Sequence, residues 1–78
     1  MKKIAVVSII IHDRACVATV NELLHEACED ILGRMGLPIK SRGISIISII
    51  IETENEKFTT LIEKLQTLSE VQVQFIEA

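Results

Sequence analysis

The sequence predicts an α+β fold in which a four-stranded antiparallel sheet carries two helices on one face. Three observations predict it. Two isoleucine-rich runs, 4–11 and 44–51, are apolar at both parities. Each is followed by a segment whose apolar residues recur at helical spacing, and two more strand-like segments complete the order β-α-β-β-α-β. That order is the ferredoxin-like arrangement, in which each right-handed βαβ half places its helix on the same face of the sheet.

The run 44–51 has six isoleucines in eight residues. β-branched side chains lose χ1 freedom in a helix and fit a pleated strand, so the run reads as β. Ile44, Ile46 and Ile50 fall on one face and Ile47, Ile49 and Ile51 on the other, so both faces need cover. The run 4–11 has the same character. Ser8 echoes Ser48, which predicts that the two strands lie side by side in the middle of the sheet.

His12, Asp13 and Arg14 break the first strand. Asp13 suits an N-cap, its carboxylate accepting from free N–H groups of the next turn. Val17, Val20, Leu24, Ala27 and Cys28 then mark the apolar side of a helix ending near Glu29, opposite Asn21, Glu22, Glu26 and Glu29.

Gly33, Gly36 and Pro38 oppose a helix over 31–39, each Gly costing about 1 kcal/mol and Pro about 3 kcal/mol. The segment reads as a strand with Ile31, Met35, Leu37 and Ile39 on one side and Leu32, Arg34 and Lys40 on the other. Its glycines point to a bulge or close backbone approach, and its proline to a sheet edge. Residues 40–43 make a short hairpin turn into the central strand.

Thr53 followed by Glu56 fits a capping box. Phe58, Leu61, Ile62, Leu65 and Leu68 form the stripe of the second helix, closed by Ser69 and Glu70. Val71, Val73 and Phe75 alternate with Gln72 and Gln74 in the last strand. Residues 1–78 are expected to form a single domain, with no internal linker or repeat.

A chain of 78 residues buries only about 60% of its unfolded surface, so its core is marginal. Two helices cover one face of the sheet, and the other face of the central strands is rich in Ile and Val. Monomers rarely expose such a patch, so a homodimer or tetramer through the sheet is the expected cover, unless helices and loops curl further over it.

Net charge is −3, and aromatic residues make up 3% of the chain. Direct nucleic-acid binding, which needs clustered cations or stacking platforms, is not expected. Lys2 and Lys3 precede an apolar run that continues into a charged helix rather than a cleavage site. No run reaches the roughly 18 apolar residues of a membrane span. A cytoplasmic protein with reduced Cys16 and Cys28 is expected, without membrane association.

His12, Cys16, His25 and Cys28 raise the question of a metal. His25 and Cys28 are close on one helix, but His12 and Cys16 sit about three turns away along it. The simpler reading makes Cys28 a small core residue and His25 partly exposed, with no metal and no cofactor. The acidic groups at Glu29 and Asp30 and over 52–56 lack a partner base, and no nucleophile constellation or phosphate loop is present. The chain does not read as an enzyme.

One stretch stands out. From Leu32 to Ile51 there is no acidic residue, while Arg34, Lys40 and Arg42 are basic. Gly33 and Gly36 expose backbone N–H groups beside Arg34. The hairpin is either a solvated tip or a place to hold a small anion or an acidic partner surface.

Residues 20–25 (VNELLH), 31–38 (ILGRMGLP) and 43–48 (GISIIS) resemble, with their spacing, the family of small iron-only hydrogenase system regulators. The resemblance runs nearly end to end. It implies an ACT-like fold, related to the regulatory domain of the nickel-responsive repressor, and oligomers formed through the sheets. It further implies a regulatory or ligand-sensing role linked to hydrogenase expression or maturation. Amino-acid-binding ACT domains follow an acidic-basic pair like Asp13-Arg14 with Pro-Gly. Here Ala15 and Cys16 follow, so amino-acid sensing through that loop is not carried over. The nickel repressor's His and Cys set is absent, as is a ribbon-helix-helix or helix-turn-helix segment. A ligand site is expected at a subunit interface near Asp13, Arg14, Arg34 and Gly36. The alternative is an interaction module that binds another protein along its sheet edge and takes no small molecule.

Overall fold

A computed structural model describes residues 2–78. Strand β1 (Lys2–Ile11) leads through a 3-10 turn, Arg14–Cys16, into helix α1 (Val17–Glu26). A second 3-10 turn, Cys28–Asp30, precedes β2 (Ile31–Ile39), which turns back into β3 (Ile44–Glu54). Helix α2 (Asn55–Gln66) and β4 (Val71–Glu77) complete the chain. The sheet order is β2-β3-β1-β4 with every pair antiparallel, the ferredoxin-like topology.

The two isoleucine-rich strands pair at the centre, and Ser8 stands opposite Ser48 as their matched patterns require. Ala5, Val7, Ile9 and Ile11 of β1 and Ile47, Ile49 and Ile51 of β3 point to the helix side and are buried. Val20 and Leu24 of α1 and Phe58, Leu61, Ile62 and Leu65 of α2 meet them in one core. Each of the Val, Leu, Ile and Phe side chains contributes about 1.5–3 kcal/mol by leaving water. On β4, Phe75 meets Phe58 edge to face, the ring centroids 5.1 Å apart.

The opposite face of the sheet has no such cover. Ile4 and Val6 of β1, Ile50 of β3, Met35 and Leu37 of β2 and Ile76 of β4 are all exposed there, Ile76 to 75%. The central members abut across the sheet, Val6 standing opposite both Ile50 and Ile76.

Four expectations are corrected by the packing. Ile31 does not share a face with Met35, Leu37 and Ile39. The register slips between Ile31 and Gly33, so Ile31 pairs with Ile51 and packs on the core, while Leu32 is turned out to solvent. A bulge of one residue reverses the alternation on either side of it. The capping box does not form. Thr53 is still in β3, only 2% exposed, and its Oγ1 donates to Oδ2 of Asp30 at 2.8 Å. Glu54 takes the N-cap position without a side-chain cap bond.

The other two corrections concern helix ends. α1 stops at Glu26, short of Glu29, and the tighter turn after it changes the rotation per residue. Cys28 is therefore exposed rather than a core residue, and His25 is exposed as well. α2 ends at Gln66 with Thr67 as its C-cap, ahead of Ser69 and Glu70.

The hairpin follows its expected course. The Arg42 N–H donates to the Ile39 carbonyl at 3.0 Å, and Gly43 adopts φ +67°, which side chains disfavour. β2 is an edge strand, as Pro38 requires.

Candidate functional site

The end of β1 and the start of α1 set one wall of a groove. Asp13 bends the chain, its Oδ1 accepting from the Ala15 N–H at 2.9 Å, and this turn presents Arg14. Edge strand β2 sets the other wall. Arg34 and Gly36 pair with Ile49 and Ile47, so both belong to the helix side of the sheet. Arg34 reaches α1, where its Nη2 donates to Oδ1 of Asn21 at 2.7 Å.

Between these walls lies a groove of about 580 Å³. Arg14, Arg34 and Gly36 line it together with Asn21, Lys40 and Ile47. A Cβ placed on Gly36 would stand 3.7 Å from Cγ1 of Ile47, an ordinary contact, so Gly36 keeps the groove open rather than relieving a clash. Of the residues expected from the sequence, three line this groove. Asp13 does not; its Oδ1 accepts the turn's Ala15 N–H.

Asn21 escaped the sequence reading, which placed it on the solvated side of α1. No local signal connects it to Arg34, 13 residues away. Lys40 was already visible as part of the basic hairpin.

The charge in the groove is one-sided. Its lining contains Arg14, Arg34 and Lys40 and no Asp or Glu. Among the described residues none of these cations forms an ion pair. The pairs Lys3–Glu77 and Lys64–Glu26 lie elsewhere, on β1–β4 and α1–α2. Unpaired cations beside apolar walls, in a chain of net charge −3, make a local attractor for anions.

A second groove, about 890 Å³, shares Asn21 and Arg34 and continues past Glu22, His25, Glu26 and Cys28. Its lining carries both signs of charge. His12 and Cys16 are absent from it, and His12 Nε2 is instead 2.6 Å from Oε1 of Gln72. Among the described residues no group of three or more His, Cys, Asp or Glu is arranged to hold a metal ion.

The four-stranded antiparallel sheet with two helices on one face is an ACT-like fold. The ACT domain of the GTP pyrophosphokinase from Chlorobium tepidum superposes with a TM-score of 0.80 at 20% identity, over 97% of this chain and 100% of that one. CPII from Thiomonas intermedia, a nitrogen regulatory PII-like protein, shares the fold more distantly, with a TM-score of 0.58 at 19% identity over 100% and 95%. Within this class the chain belongs to the TM1266-like family, "Iron-only hydrogenase system regulator, putative", whose pattern matches residues 3–75. The uncharacterized protein TM1266 from Thermotoga maritima is 35% identical over 99% of this chain and 98% of that one, with a TM-score of 0.94. No curated protein matches the sequence.

Proposed function

We propose that this chain is a regulatory module of an iron-only hydrogenase system, acting as a homo-oligomer that senses a small anionic ligand in the groove of Arg14, Arg34 and Gly36. The observation that carries the sensing reading is the one-sided charge of that groove, three cations with no carboxylate among the lining residues. Membership of a regulator family and an ACT-like fold support the regulatory role. A PII-like neighbour of 22% identity has been crystallised with ADP, AMP and bicarbonate, so a sheet of this topology is compatible with anion binding.

The oligomer rests on the open sheet face, where Val6, Ile50 and Ile76 form a contiguous apolar surface. A second copy is the economical cover for such a surface. The described helices include none long and apolar enough to cross a membrane. In this reading the protein works in the cytoplasm and reaches transcription or enzyme assembly through a partner protein, since no DNA-reading element is present among the described helices.

A second reading has its own observation. Edge strand β2 exposes Leu32, Met35 and Leu37, and an exposed edge with apolar side chains can add a strand from another protein. Thermal-shift screening against amino acids, nucleotides, carboxylates and metals separates the two. A reproducible shift that is lost in Arg34→Ala, with the oligomer intact, supports sensing. No shift from any compound, together with a stoichiometric co-purifying protein, supports the interaction module.

A further inference from the structure

Resting on the sensing reading above, we infer that the groove selects a compact aliphatic dianion, a dicarboxylate or a phosphate monoester, over a zwitterionic amino acid and over a nucleotide. Three features of the lining decide this.

The first is the count of charges. Arg14, Arg34 and Lys40 face the groove without an acidic partner. Attraction between opposite charges adds with each charge on the ligand, and charge-assisted hydrogen bonds are the strong ones. A second negative group therefore gains a second cation, whereas a monoanion leaves cations unpaired.

The second is the shortage of acceptors for an ammonium. An α-amino acid carries its –NH₃⁺ beside its carboxylate and needs a charged or well-placed acceptor for it. The lining has no carboxylate. Asp13, whose Oδ1 accepts from the Ala15 N–H, is not part of that lining. The Asn21 side-chain oxygen already accepts from Arg34, so an ammonium using its second lone pair would sit beside the guanidinium. The Ser45 hydroxyl and main-chain carbonyls are left, all uncharged, and an ammonium placed near them would face Arg14, Arg34 and Lys40.

The third is the nature of the walls. Val17, Pro38 and Ile47 supply aliphatic surface, and no aromatic residue lines the groove. Phe58 and Phe75 are engaged with each other beside β4. A purine would find no ring to stack on, whereas a short alkyl chain finds both apolar contact and terminal cations. The groove's volume of about 580 Å³ falls within the range usual for small-molecule sites. The adjoining larger groove lacks this selectivity, because Glu22 and Glu26 enter its lining.

Arg34 is the pivot. Asn21 holds one of its guanidinium nitrogens and leaves its remaining donors for a ligand. This tether orients the fork in advance and lowers the entropic cost of gripping a carboxylate or phosphate.

The test is calorimetric titration of the full chain with four probes of matched length: hexanedioate, hexyl phosphate, hexanoate and norleucine, with AMP as the nucleotide. At least one of the two aliphatic dianions is expected to bind about tenfold or more tightly than hexanoate and norleucine, and than AMP, which carries the same phosphate dianion on a purine nucleoside. That advantage is also expected to shrink about tenfold in both Arg34→Ala and Lys40→Ala, each checked for native circular dichroism. The two dianions separate the sources, since hexyl phosphate alone binding points to phosphate esters and hexanedioate alone to dicarboxylates. Hexanoate, norleucine or AMP binding as tightly as the aliphatic dianions overturns this inference while leaving the sensing reading in place. Failure of every probe and of the wider thermal-shift screen overturns both.

Discussion

Arg34 of the edge strand and Asn21 of the first helix are joined by a hydrogen bond of 2.7 Å, and the proposed site and the larger groove beside it share this pair. The bond is exposed, so its contribution to folding is small. Its consequence is positional, because it fixes a cation that has no acidic partner. Asn21→Ala is predicted to leave stability within about 1 kcal/mol of the parent, as for loss of an ordinary exposed hydrogen bond. The same change should weaken anion binding several-fold, less than Arg34→Ala does. Thermal unfolding and calorimetric titration of the two variants, side by side, check both halves.

Gly36 offers a steric test with little electrostatic content. The space its missing side chain leaves belongs to the groove, and its backbone is not in the left-handed region. Gly36→Leu is predicted to abolish ligand binding while the chain folds normally. Replacing a glycine at a compatible backbone position even stabilises by about 0.4–1 kcal/mol through the unfolded state. An unchanged binding isotherm would place the ligand elsewhere.

The open sheet face makes a separate prediction. Ile50 is 45% exposed and pairs with Val6 at the middle of that face. Ile50→Lys should convert the proposed oligomer to a monomer without loss of secondary structure, since the side chain lies outside the core. Sedimentation velocity at micromolar concentration reads the change. A parent chain that already sediments as a monomer contradicts the proposed assembly.

Thr53 and Asp30 test the fold itself. Thr53 Oγ1 is buried against Asp30 Oδ2, joining the end of β3 to the turn before β2. Thr53→Val keeps the shape and removes the donor, which leaves a partly buried carboxylate without this partner. A loss of about 1–3 kcal/mol is predicted by denaturant unfolding, with oligomerisation and ligand binding retained by the folded fraction. A loss within about 0.5 kcal/mol would show that water replaces the hydroxyl at no cost.

Particular residues show how far the sequence could be read. The central strands were legible because isoleucine at both parities fits little else, and their matched serines even carried the register. The basic hairpin was legible because charge composition is local. Leu32 was not, since a bulge shifts the alternation without changing which residues look apolar. Thr53 matched a capping box in spacing, but its actual partner, Asp30, lies 23 residues away. Cys28 followed the helical stripe on paper, and the 3-10 turn after Ala27 rotated it to the surface. The groove was half legible for the same reason. Arg34 and Gly36 declare themselves within a short stretch and Arg14 follows the first strand, whereas Asn21 joins them only through the crossover that lays α1 beside β2.

The central claim is that a small anion binds between Arg14 and Arg34. Backbone amide chemical shifts of the 15N-labelled chain, followed during titration with hexanedioate and hexyl phosphate, test it most directly. The account predicts saturable shifts concentrated at Arg14, Val17, Arg34, Gly36 and Lys40, and their disappearance in Arg34→Ala. Saturable shifts centred instead on the opposite edge, around Gln72 and Phe75, or no saturable shift with either probe, would contradict it.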